Sequence, residues 1–169
     1  SSVGNVIEAV SSGQADFGLC FAKNLPASIE FTPLADDRYV AACRHDHPLA
    51  RKTHLSWQAY FEQDYIGLDR VSGNRTLLDR ELAHLTPARP SICETRHVTT
   101  MLGMVEAGIG IAAVPAMSMP AGEHSVLRAV PLTDPVVTRT VGLIRLSGRI
   151  QSYVAAELEK LIIEQYPSG

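Results

Sequence analysis

Met101-Leu102-Gly103-Met104-Val105-Glu106-Ala107-Gly108-Ile109-Gly110-Ile111-Ala112-Ala113-Val114-Pro115 is the stretch on which the reading of this chain turns. Val98, Met101, Leu102 and Val105 fall at i, i+3, i+4 and i+7, one apolar stripe of a helix. Thr99 or Thr100 can cap its start by accepting from a free backbone N–H. Gly108 suits the left-handed position just past a helix end, where a Cβ would clash. Ile109 to Val114 carries no charge, as a strand covered on both faces should, and Pro115 has no N–H to extend it. A helix feeding a buried strand through a glycine turn is half of an α/β unit.

Elements of the same kind extend in both directions. Upstream of the unit, Ser91 to Glu94 and Tyr65 to Leu68 read as strands. Between them a helix carries Leu77, Leu78, Leu82 and Leu85, with Ser72 or Asn74 as its cap. Strands alternating with helices from 64 to 114 predict a parallel sheet covered on both sides. Toward the start, Val3, Val6, Ile7 and Val10 form a helical stripe ending at Gly13, and a short strand follows at Asp16–Cys20. Ile29–Leu34 and Arg38–Cys43 read as two strands separated by Ala35-Asp36-Asp37, and Ser56 caps a short helix through Tyr60. Toward the end come strands at Val126–Leu132 and Thr138–Leu146, then a helix capped by Ser147 and running from Ile150 through Ile162. The arrangement predicts two α/β lobes. Residues 1–42 with 128–169 make lobe I, residues 43–127 make lobe II, and crossings lie near 40 and 128. Lobe I reads as incomplete, lacking the strand and crossover helix that normally open such a sheet.

Composition narrows the class. The 169 residues are 46% hydrophobic and 20% charged, with a formal net charge of −3, as in an ordinary globular protein. No apolar run approaches the ~18 residues of a membrane span, and the first residues show no leader pattern. Without a basic tract, these residues lack the electrostatic footprint of a nucleic-acid-binding face. Cys20, Cys43 and Cys93 are odd in number and far apart, which predicts reduced thiols in a cytoplasmic protein rather than a disulfide framework.

Four segments in register carry a resemblance: Gly13-Gln14-Ala15-Asp16-Phe17-Gly18-Leu19, Asp37-Arg38-Tyr39-Val40-Ala41-Ala42, His47-Pro48-Leu49-Ala50 and Met104 to Pro115. Together the series resembles the effector-binding (substrate-binding) domain of LysR-type transcriptional regulators over nearly the whole chain. The resemblance implies a two-lobed fold of the type II periplasmic-binding-protein kind with a small inducer in a cleft between lobes. It also implies a homodimer or homotetramer, and DNA contact only through an N-terminal helix-turn-helix domain that this chain does not contain.

In open α/β sheets ligands sit beyond the carboxyl ends of strands, where helix N-termini present free N–H groups. Two loops qualify, and both match positions where the family takes inducer contacts. They are Arg70-Val71-Ser72-Gly73-Asn74, and Thr95-Arg96 followed by His97, Val98, Thr99 and Thr100. Cys20-Phe21-Ala22 closes the first-lobe strand, and Phe21 offers an apolar wall. Arg70, Arg75 and Arg96 are candidates to pair with a carboxylate on a small organic, anionic inducer. Ser72 and Thr99 could equally serve only as helix caps, Phe21 only as packing, and the arginines only as solvated surface groups. Cys43-x-His45-x-His47 would place three soft ligands on one strand face, but no fourth zinc ligand is evident. No Gly-x-Ser-x-Gly elbow or phosphate loop is present, and Gly108-Ile109-Gly110 follows a helix instead of opening one. The reading is a binding protein, not an enzyme, with no cofactor. A solute-binding protein of a transport system shares the two-lobe plan and is the alternative.

Overall fold

The computed structural model describes residues 3–21, 25–121 and 125–166. In chain order its elements are α1 (Val3–Ser11), β1 (Phe17–Phe21), β2 (Ile29–Arg44), β3 (Leu55–Ser56), α2 (Trp57–Phe61), β4 (Tyr65–Leu68) and α3 (Gly73–Glu81). They continue with β5 (Cys93–Thr95), α4 (Val98–Glu106), β6 (Ile111–Pro115), β7 (Leu127–Thr133), β8 (Thr138–Leu146) and α5 (Tyr153–Glu164). The chain divides into two compact units, Ser1–Asp37 with Arg139–Gly169 and Arg38–Thr138. The crossings therefore fall at 37/38 and 138/139, whereas the sequence placed them near 40 and 128.

In the first unit β1 pairs antiparallel with β8, from Phe17↔Arg145 to Phe21↔Val141. Val10, Cys20, Ile29 and Ile144 form its buried centre, with α1 packed on β1. The helix closes as expected at Gly13, whose φ of +75° is a backbone state that glycine reaches without a Cβ penalty.

In the second unit β4 runs parallel to both β5 and β6, while β2 lies antiparallel to β6 and β7. Period-2 alternation sorts the side chains onto two faces. Val40, Ala42, Ile66, Leu68, Ala112 and Val114 meet Met101, Leu102 and Val105 of α4 on one side. Tyr39, Ala41, Cys43, Ile111 and Ala113 meet the aromatic residues of α2 and Leu77 of α3 on the other. The parallel, doubly covered sheet read from residues 64–114 is the observed one. Full burial of each such aliphatic side chain contributes about 1.5–3 kcal/mol, so the α4 stripe is a major part of this unit's stability.

Four local expectations are corrected. First, Ala35-Asp36-Asp37 is not a turn: β2 is one strand of 16 residues. The two aspartates look like turn residues, but β8 supplies them with partners, Thr140 Oγ1 donating to Asp36 at 2.7 Å and Arg139 donating to Asp37 at 2.9 Å. Second, α4 starts at Val98 with His97 in the cap position, so Thr99 and Thr100 lie in its first turn. Third, β6 begins at Ile111, leaving Ile109 half exposed, and it includes Pro115. Fourth, Ser147 does not cap the last helix. Its N–H bonds to Ser28 O and its hydroxyl to Glu30, while Ser152 accepts from Ala155 N at 3.2 Å to start α5. Ile150 consequently lies outside the helix and is 94% exposed.

Candidate functional site

The carboxyl edge of β4 and β5 is built by their register. Leu68 stands opposite Thr95, and Asp69 N–H continues the ladder by donating to Thr95 O at 3.0 Å. The two strands therefore release their chains side by side, one into α3 and the other into α4. Ser72, extended at φ −72° and ψ 126°, occupies the α3 cap position, and His97 occupies that of α4. Neither side chain makes a capping hydrogen bond. The first-turn N–H groups of both helices thus lack the side-chain acceptor that usually answers them, and the helix dipoles add a partial positive charge there.

Of the sequence candidates, Ser72, Gly73, Arg96, His97, Val98, Thr99 and Thr100 converge on this edge of the second unit. Gly73 opens α3 and is exposed, as are His97, Thr99 and Thr100, while Val98 packs partly into the core beside α4. Arg96 Nε donates to Asp69 Oδ2 at 3.3 Å, with the guanidinium largely exposed. Arg75 is fully engaged within the unit. It bonds Asp79 at 2.7 Å, Leu68 O at 2.9 Å and Glu94 at 3.3 Å, strapping α3 to the end of β4. As a carboxylate receptor for a ligand it is already occupied. Arg70 lines a cavity of about 840 Å³ in the same unit and has no ion-pair partner among the described residues. Phe21 belongs to the first unit, where the Arg139 guanidinium lies 4.9 Å from its ring centroid. Ala22, the end of that sequence segment, lies outside the described residues.

Sequence reasoning missed two contributors. Asp69 keeps Oδ1 buried with no hydrogen-bond partner among the described residues, directly at the shared edge; a buried carboxylate oxygen normally finds one. Tyr39 Oη donates to Asn74 Oδ1 at 2.7 Å, tying the first turn of α3 to β2 across 35 residues. A contact at that separation leaves no trace in local spacing.

Cys43, His45 and His47 do not assemble a metal site: among the described residues no three His, Cys, Asp or Glu side chains come together. Cys43 is fully buried in the core, and burial pushes its thiol up to about 11. His47 Nδ1 instead accepts from Leu49 N at 3.2 Å to start a short turn. Because the thiolate is the reactive species, Cys43 should resist alkylation in the folded chain at pH 8 and react once urea unfolds it. Mass spectrometry of iodoacetamide-treated protein reads this, and rapid labelling of Cys43 in the native state would contradict it.

Comparison with known proteins gives these features a lineage. The model of the LysR substrate-binding domain matches residues 1–167. The chain belongs to that family. Over 159 residues it is 40% identical to the uncharacterized HTH-type transcriptional regulator YbhD of Escherichia coli (strain K12), covering 94% of this chain and 50% of that protein. It is 31% identical over 160 residues to the uncharacterized HTH-type transcriptional regulator YfeR of Shigella flexneri, covering 95% and 52%. The chain thus spans about half the length of these curated relatives, which are named as transcriptional regulators and not as transport proteins. Among solved structures, the effector-binding domain of QuiR in complex with shikimate superposes with a TM-score of 0.81 at 22% identity, covering 98% of this chain and 78% of that one. The Synechocystis PCC6803 CcmR regulatory domain in complex with 2-PG gives 0.83 at 16% identity, covering 99% and 81%. At these identities the likeness establishes the type II periplasmic-binding-like fold shared by LysR regulatory domains. Among the described residues no helix is long and apolar enough to cross a membrane.

Proposed function

We propose that this LysR-family domain senses a small organic anion for a DNA-binding regulator, with the ligand's acidic group held at the β4/β5 edge. The observation that carries the reading is the pair of uncapped helix starts, α3 after Ser72 and α4 after His97, set side by side by the Leu68↔Thr95 register. Ser72, Gly73, Thr99 and Thr100 surround those N–H groups with small or hydroxyl-bearing side chains, and Arg96 adds a cation. A ligand hydroxyl would answer the unpartnered oxygen of Asp69. The small molecules named with the QuiR and CcmR structures support a small-molecule effector here as well. A ligand that binds one conformational state better than another moves the population toward it, and that shift is the signal passed on. DNA contact belongs in this reading to a helix-turn-helix domain of the full regulator, acting in the cytoplasm as a homodimer or homotetramer. The domain has no enzymatic role and needs no cofactor.

Thermal unfolding against a panel of small organic acids tests the proposal, because a ligand of the folded state alone raises the melting temperature. Thr99→Glu sharpens the test. An acidic group in the first turn of α4 should stabilise the free protein by about 0.3–1 kcal/mol through the helix dipole. The same group should repel an anionic ligand and weaken its binding about tenfold or more. An acid that shifts wild type and T99E equally would refute the assignment to this edge.

A further inference from the structure

On the Tyr65/Gly67 face of β4, beneath α3, the second unit holds a cavity of about 840 Å³. It opens to solvent past Ala83, Pro87 and Arg89, and small-molecule pockets run to about 300–1,000 Å³, so its size is that of a ligand site. Its origin is local. Gly67 contributes no side chain to this face, and a Cβ there would already come within 3.0 Å of Ser91 Cβ and Oγ. Trp57, Tyr60, Phe61 and Tyr65 form a continuous aromatic wall, with ring centroids 5.3–6.0 Å apart in successive pairs. Leu78 of α3 and Leu82 just past its end also line the cavity.

The polar groups among the lining residues decide what would fit. Tyr60 Oη, fully buried, accepts from Ala113 N–H at 2.8 Å. No acceptor for its own proton occurs among the described residues. Five charged side chains line the cavity: Arg70, Arg75, Arg89, Asp79 and Glu94. Arg75 bonds both carboxylates, Asp79 at 2.7 Å and Glu94 at 3.3 Å. Arg89 reaches only Asp64, at 3.6 Å, and both partners are largely exposed, so the pair is weak in water. One guanidinium, that of Arg70, is left without an ion-pair partner among the described residues beside the aromatic cluster.

We infer that this cavity is a second ligand site, contained within one unit, that takes an aromatic molecule bearing a single acidic group. The ring system packs against Phe61 and Leu78 at the accessible margin of the aromatic cluster, where edge-to-face contacts add to the area buried. The anion pairs with Arg70, a guanidinium fork suited to carboxylate or sulfonate oxygens. The site is separate from the uncapped helix starts, and its occupancy does not depend on theirs.

The chain carries one tryptophan, and it stands in the cavity wall. Excitation of Trp57 in the presence of anilinonaphthalenesulfonate, an aromatic body with one anionic group, should give saturable energy transfer to the probe. Arg70→Gln, at an exposed position, should raise the dissociation constant about tenfold. Ala83→Phe, which fills the cavity from an exposed lining position, should raise it further, with circular dichroism verifying that both variants remain folded. Thr99→Glu should leave the constant unchanged, which separates this site from the helix-start edge. Absence of saturable transfer, equal affinity in R70Q and wild type, or loss of binding in T99E would each overturn the inference. Because R70Q decides the matter alone, a failure of A83F to fold does not shield it.

Discussion

Arg139→Ala should lower the stability of this domain by about 3–5 kcal/mol, the cost of removing one partner from a buried ion pair. Asp37 is fully buried at its side chain, and the Arg139 guanidinium is nearly so. Nε and Nη2 both donate to Asp37 Oδ2, at 3.1 and 2.9 Å. The position magnifies the effect. Asp37 is the last residue of the first unit on one crossing strand, and Arg139 is the first on the other. On the far side of the same crossing, Tyr39 N–H bonds Val137 O at 2.9 Å. The guanidinium also lies over the ring of Phe21, so its loss removes a cation–π contact as well. Against a typical total of about 5–15 kcal/mol, such a loss leaves a marginal fold. Urea denaturation followed by far-ultraviolet circular dichroism measures it. A double replacement, Asp37→Leu with Arg139→Met, should recover most of the stability because no buried charge remains. A loss below about 1 kcal/mol in R139A would show that the carboxylate reaches water after all.

The same pair marks the limit of what could be read from the residues. The helix stripe of Met101, Leu102 and Val105 and the uncharged run into Val114 are local patterns, and each maps directly onto a buried face. The glycine closures at 13 and 108 are local in the same sense, since a positive φ is a property of one residue. Asp36 and Asp37 read as a turn because short acidic side chains favour turns when nothing else claims them. What claims them here is β8, more than 100 residues away. Ser56 caps α2 as read, but the caps of α4 and α5 failed for a related reason. Thr99, Thr100 and Ser147 have the chemistry of N-caps, but the cap is fixed by where the chain leaves the preceding strand, and strand register is non-local. The candidate loops were located by the rule that ligands gather at the carboxyl ends of parallel strands. Which arginine remains available there was hidden, because Arg75 is consumed by Asp79 and Glu94, and sequence spacing reveals only the first of these. The cavity under α3 gave no signal at all. An aromatic cluster at helical spacing reads as core, and an unfilled volume is a property of the packed whole.

Two glycines of the stretch that decides the fold serve different purposes, and substitution separates them. Gly108 has φ +79°, the left-handed state past the end of α4, with Gly108 N bonded to Val105 O and Ile109 N to Met104 O. A Cβ there would find only Arg44 Cδ, at 3.8 Å. Gly108→Ala therefore carries the backbone cost alone, about 1–2 kcal/mol, and Gly108→Asn should cost less because asparagine tolerates that state. Gly110 has no positive φ, but a Cβ on it would lie 2.5 Å from Asp64 O and 3.1 Å from Ile92 Cδ1. Asp64 O is backbone and is the acceptor for Ile111 N–H at 3.0 Å, the bond next to the point where β6 joins β4. It cannot retreat without opening that junction. Gly110→Ala should accordingly cost about 3 kcal/mol, the upper range for overpacking a well-filled interior, and asparagine at 110 should be no better tolerated than alanine. Thermal and urea unfolding of the four variants give the ranking. If Gly108→Ala proves the more damaging of the two alanine variants, close backbone approach is not the reason for a glycine at 110.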